Sequence, residues 1–212
     1  MSRMLAQITP RCFLLLSLTV AAFGQYKSAP AGALPTELAP ALAARLQTSG
    51  LQVSGPAGVW CEVWFVKTAP SGPKSTEDAV TLPTVPVGSL LGVIRFAGKG
   101  ADRRGQQIKA GLYTLRYVQT PVTGDHLGVA PQRDFAALVP IGIDKDPAAV
   151  PTLLQVIEMS TKASGTPHPA VLSLASGSGT EGFTKEGEHD WTWNTKLGDL
   201  PVAIILAGKA EA

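Results

Sequence analysis

Asp125, His126, Gln132, Arg133 and Asp134 place five charged or hydrogen-bonding side chains within ten residues, around Gly128 and Pro131. A loop held between strands could present such a carboxylate, imidazole and guanidinium to a polar ligand. The competing reading is mechanical. Gly124-Asp125 makes a turn, and Arg133 with Asp134 pin the loop by hydrogen bonds.

A metal site is the second chemistry available. Beyond residue 24 the histidines are His126, His168 and His189, with Asp125, Glu188 and Asp190 beside two of them. Two imidazoles and one carboxylate suffice for zinc or a similar divalent ion with an open position. His126 and His168 with Asp125 form the candidate set, and Asp134 is an alternative carboxylate. No pair has local ligand spacing, because His-Glu-x-x-His and Cys-x-x-Cys are both absent. A metal-assisted enzyme therefore requires separate loops to converge in space.

Other chemistries are weaker. Ser71-Gly72-Pro73-Lys74 matches Ser-x-x-Lys, but Gly and Pro oppose the helix that motif needs. Gly-x-Ser-x-Gly is absent, and Ser176-Gly177-Ser178-Gly179 reads as a loop. Gly98-Lys99-Gly100 lacks the remainder of a phosphate-binding loop. Trp191 and Trp193 share a strand face by the period of two and could stack on a sugar ring. Trp60 and Trp64 have the same spacing inside an apolar strand, where core packing is the simpler account. Cys61 lies in that strand, and burial as a small hydrophobe is its expected state, although a lone cysteine can also pair between chains.

The elements that must position these groups follow from periodicity. Strands are expected at 59–67, 90–97, 111–118, 134–141, 170–175, 191–195 and 202–207, each rich in β-branched or aromatic residues and bounded by Gly, Pro, Asp or Ser. Leu38, Leu42 and Leu46 recur every four residues and predict a helix over 36–47. Residues 151–162 predict a second, with Pro151 in its first turn. Residues 25–36 read as a loosely attached Pro/Ala-rich leader, 98–110 as a polar turn and 176–190 as the most flexible stretch. Short strands with few helices imply an all-β antiparallel β-sandwich with one or two short peripheral helices. The expected organisation is a signal segment over 1–24, a leader and short helix over 25–49, and the sandwich over 50–212.

Arg3 and Arg11 precede a twelve-residue apolar run, 12–23, followed by the small residues Ala22 and Gly24. That is the pattern of a secretory signal with cleavage after Gly24, and the run is too short to span a membrane. Cleavage would leave 16 basic against 16 acidic residues and Cys61 as the sole cysteine. A formally neutral chain offers no field for nucleic acid and no basic run for an anionic membrane.

The stretch Ile108-Lys109-Ala110-Gly111-Leu112-Tyr113-Thr114-Leu115, with GDHLGVAPQRDF at 124–135 and SGTPHPAVLSL at 164–174, resembles a group of uncharacterised secreted bacterial β-sandwich proteins. The resemblance implies export and a β-rich fold, and attaches no activity. The expectation is a periplasmic or secreted, non-catalytic binding or structural module of the cell envelope. Its partner would be a polar ligand, a glycan or an envelope protein. The alternative is the metal-assisted enzyme.

Overall fold

The computed structural model describes residues 26–121 and 132–208. Its elements are β1 (Lys27–Ala33), α1 (Pro40–Arg45), β2 (Ser49–Gly55), β3 (Gly58–Phe65), β4 (Leu90–Phe96), β5 (Gly100–Ala101), β6 (Gln107–Ile108), β7 (Gly111–Gln119), β8 (Asp134–Pro140), α2 (Leu153–Ser164), β9 (Val171–Ser176), β10 (Gly182–Glu186), β11 (Asp190–Leu197) and β12 (Leu200–Ala207). Ten strands form one antiparallel sheet in the order β1-β2-β3-β4-β7-β8-β9-β12-β11-β10, while β5 and β6 make a separate hairpin. The expected all-β antiparallel fold with two short helices is the fold adopted.

The two facing layers are arms of a single curved sheet. Phe65 on β3 packs on Trp193 of β11 with ring centroids 5.8 Å apart. The indole N–H of Trp60 on β3 donates to the Leu206 carbonyl of β12 at 3.2 Å. Curling brings the sheet's two outermost strands together, so that Tyr26, just before β1, meets Phe183 of β10 at 6.0 Å. Alternation supplies the interior. Val63, Ile94, Leu115, Leu138, Leu172 and Ile204 are all buried in one apolar cluster.

The opposite face of β7 and β8 is also covered. Val118, Phe135, Ala137 and Val139 pack with Val156 of α2. Thr152 caps that helix: its hydroxyl accepts from the Gln155 N–H, while the Gln155 side chain accepts from the Thr152 N–H, a reciprocal capping box. Two polar residues of the same face, Thr114 and Arg116, are fully buried. The loop after β8 folds over them.

Three expectations need correction. Residues 25–36 are not a loose leader over their described length, because β1 pairs along β2 from Lys27↔Ser54 to Ala33↔Ser49. Pro and small residues hide an edge strand whose stability comes from its neighbour rather than from its own pattern. Within 176–190, Gly182–Glu186 is likewise a strand, paired with β11. The helix expected over 36–47 shrinks to Pro40–Arg45, although Leu38, Leu42 and Leu46 are all buried as their spacing required. Among the described residues, no helix is long and apolar enough to cross a membrane.

Candidate functional site

Two irregularities in the sheet meet at one end of the molecule. In β3 the pairing runs Val53↔Cys61 and then Ser54↔Val59, leaving Trp60 as an extra residue. In β12 it runs Thr192↔Ile205 and then Trp191↔Ala207, leaving Leu206 extra. A bulge re-aims the side chain it carries. Trp60 accordingly packs edge-on against Phe96 at 6.0 Å, and its N–H reaches the carbonyl of the other extra residue, Leu206. The two bulges are thus tied to each other.

A third ring completes this end. Tyr26 lies over Gly55 at the end of β2, where a Cβ would come within 2.6 Å of the ring. Only glycine leaves that space. Tyr26 packs against Trp191 at 5.6 Å with the rings inclined by 51°. Tyr26, Trp60 and Trp191, with Pro56, Ala101, Asp102, His189, Ala207 and Gly208, line an open cleft of about 410 Å³. That volume falls within the range of small-molecule sites, roughly 300–1,000 Å³.

The charges around the cleft are internally balanced. Asp102 is buried and accepts from the backbone N–H groups of Arg104 and Gln106 and from both their side chains. Asp190 is paired with Arg103 at 2.7 Å. On the rim, His189 lies 3.8 Å from Glu188. Further hydrogen-bonding capacity belongs to the rings. Among the described residues, neither the Tyr26 hydroxyl nor the Trp191 indole N–H has a hydrogen-bond partner. Burial, with a smaller contribution from Cys61, pushes the Tyr26 phenol above its ordinary range, so it remains a donor through neutral pH. One buried oxygen, Oδ1 of Asp190, has no partner among the described residues and lies against Gly208, where an added Cβ would sit 2.1 Å away.

The residues singled out from the sequence separate into distinct roles. Trp191 lines the cleft. Trp193 does not, being 1% exposed and stacked on Phe183 at 5.9 Å with nearly parallel planes. Its strand-mate position points it into the core, where no ligand face is left. Asp125 and His126 lie outside the described residues.

Gln132 donates to the Ser173 hydroxyl at 2.7 Å. Arg133 donates to the Thr120 and Asp78 carbonyls and pairs with Glu77. Asp134 is fully buried and accepts from the Thr81 and Leu82 N–H groups, the Thr81 hydroxyl and the Tyr117 hydroxyl. These last two residues hold the segment 77–82 against the sheet, which is the mechanical role weighed above.

His168 is exposed on the loop after α2, with its carbonyl held by Ser164. Among the described residues, no three His, Cys, Asp or Glu side chains come close enough to hold a metal ion. Cys61 is free and buried, and its burial drives the thiol pKa far upward, with the neighbouring Glu62 charge adding to it.

Composition gives no sign of Tyr26 or Trp60 as cleft residues, because the bulge that turns Trp60 is invisible to a period-two reading. A second hollow, between α2 and the β7–β8 face, is lined by Val118, Phe135, Leu153 and Ile157. At about 40 Å³ it holds little more than water. Comparison with protein-family models, with curated protein sequences and with solved structures finds no match to this chain.

Proposed function

We propose that this protein is an exported, non-catalytic binding module of the cell envelope, and that it takes a polar ligand in the cleft between Tyr26, Trp60 and Trp191. One observation carries the reading: three aromatic side chains line an open cleft in which a phenol and an indole N–H have no partner among the described residues. Aromatic side chains with one apolar body and one polar handle suit a surface that must be both wet and adhesive. The rigid strands β3, β11 and β12 carry two of the three rings, so little ordering is needed on binding. Export rests on the basic flank, the short apolar run and the small-residue exit of residues 1–24.

The test has two arms. Cells expressing the full chain are fractionated and the product is sequenced from its N-terminus. The expected product lies outside the cytoplasm and starts at or near Gln25, whereas an untrimmed cytoplasmic chain sinks the export reading. The purified mature protein is then titrated with a mixed panel of neutral, cationic and anionic small ligands while tryptophan fluorescence is followed. Binding that Trp191→Ala abolishes supports the cleft. Binding that Trp191→Ala leaves unchanged removes the function from this site.

A further inference from the structure

Resting on that reading of the cleft, we infer that its ligand is a neutral hydroxylated ring, a pyranose sugar within a glycan, rather than a cation or an anion. The electrostatics select the class. A quaternary ammonium group offers no acceptor to the two donors of the rings, the Tyr26 hydroxyl and the Trp191 N–H, and an anion site needs an unspent cation. Here both carboxylates next to the rings are paired with arginines, and Oδ1 of Asp190, unpartnered among the described residues, is buried. Asp102 accepts several hydrogen bonds from Arg104 and Gln106, and Asp190 is held by Arg103.

The cleft therefore presents ring faces and two neutral donors, the Tyr26 hydroxyl and the Trp191 N–H. A pyranose matches both. Its axial C–H face packs on an aromatic ring, while its hydroxyls accept from a phenol and an indole.

The experiment uses the mature protein on an array of neutral mono- to hexasaccharides, followed by calorimetry with the best binder. Choline and polygalacturonate serve as the cationic and anionic counter-probes. The expected result is binding of a neutral saccharide that Trp191→Ala weakens by about tenfold or more and Tyr26→Phe by several-fold. Trp191→Phe should retain most of the affinity lost in Trp191→Ala, since it keeps a ring but not the N–H. Leu154→Ala, on the exposed side of α2, should bind as the parent does. Each variant is first checked for a native melting transition, and Tyr26→Phe stands in should Trp191→Ala fail to fold.

Trp191-dependent binding of choline or polygalacturonate, with no neutral saccharide bound, overturns the sugar inference and leaves the binding-module reading standing. Absence of binding across all three probe classes overturns both.

Discussion

Arg116 and Asp144 form a two-pronged ion pair, 2.7 Å on each prong, sealed between β7 and the loop that follows β8. The guanidinium's remaining donors go to the carbonyls of Gly88, Ala149 and Asp146, so all five of its N–H bonds are used. Asp144 also accepts from the Thr114 hydroxyl. One buried side chain thus fastens two long loops to the sheet, the one before β4 and the one after β8.

Arg116→Met should therefore be severely destabilising, by about 3–5 kcal/mol, because it strands a buried carboxylate and three carbonyls. Urea titration of the variant reads this directly. Arg116→Met combined with Asp144→Leu should be no worse than Arg116→Met alone, since the uncompensated charge is gone. Additive losses in that double variant would mean the pair is not a coupled unit. High salt should change the parent's stability little at this site, as buried pairs are poorly screened.

Close packing against glycine gives a second expectation. A Cβ on Gly50 would lie 2.5 Å from the Trp64 indole nitrogen, which donates to the Gly32 carbonyl at 3.4 Å. Gly50→Ala should cost about 1–3 kcal/mol by pushing that ring off β2. Gly88→Ala should cost at least as much. Its φ is +84° and the new Cβ would meet the Pro151 carbonyl at 2.2 Å. Gly32→Ala, with open space around it, is the matched control. Equal melting temperatures for all three variants would contradict the packing described.

How far the sequence reaches is clear from these positions. All seven expected strands exist within a few residues of their expected bounds, because each carries enough β-branched and aromatic residues to declare itself. β1, β2 and β10 lack that signature, since Ala, Gly, Ser and Pro dominate β1 and β2 and β10 is a short, largely exposed Gly-Phe-Thr-Lys-Glu, so only pairing reveals them. Within the polar turn expected over 98–110, Gly100 is a strand position packed against Phe96, while Gly105 has a turn conformation with φ of 78°. At the cleft, Trp191 was legible from its neighbours and Trp60 was not. Two opposed bulges decide which way Trp60 faces, and an extra residue in a ladder leaves no trace in hydrophobic periodicity.

Alkali should destabilise the fold from about pH 9, with the Tyr26 and Tyr113 phenols, also raised by burial, adding to the later loss so that Tyr117→Phe lessens that loss without abolishing it. Burial raises the Cys61 thiol above its ordinary 9.0, and burial together with the Asp134 hydrogen bond raises the Tyr117 phenol above its ordinary 10.0. Both groups lose their protons first in the unfolded chain. Their contribution to stability is therefore complete below pH 9 and is lost as pH rises, from about 9 for Cys61 and about 10 for Tyr117. Cys61→Ala should remove the earlier onset and Tyr117→Phe should lessen the later one, in urea midpoints measured across pH 7 to 11. A pH-independent midpoint in the parent would rule this out.

The same burial makes Cys61 chemically silent in the native state. Its thiol should react with a disulfide reagent only as the chain unfolds, with a labelling rate that follows the global urea transition. Rapid labelling of the native protein would show that β3 opens locally. Such opening would also place the neighbouring Trp60 in a mobile wall of the cleft.

Asp134 makes the last expectation the most local one. Its two oxygens receive the N–H groups of Thr81 and Leu82, and the Thr81 hydroxyl that it accepts itself accepts from the Ser176 N–H. Arg133 holds the preceding turn through Glu77 and the Asp78 carbonyl, and its own N–H donates to Ala79, a non-glycine residue with φ of 57°. Segment 77–82 thus keeps an unfavourable backbone shape because two neighbouring residues on β8 and its entry fix both of its ends. Asp134→Ala removes all of these carboxylate contacts and strands two buried donors, a loss of roughly 2–4 kcal/mol. The segment lies upstream of β4 and makes only part of the core. Its release should therefore appear first as faster tryptic cleavage after the exposed Lys74, at temperatures where β-sheet circular dichroism is still native. Asp134→Asn keeps one acceptor and should be cut at an intermediate rate. Cleavage that accelerates only in step with global melting would mean that Asp134 stabilises the sheet as a whole and that the segment has no separate opening. In that case Arg133 and Asp134 would belong to the core's cooperative unit rather than to a clasp on its surface.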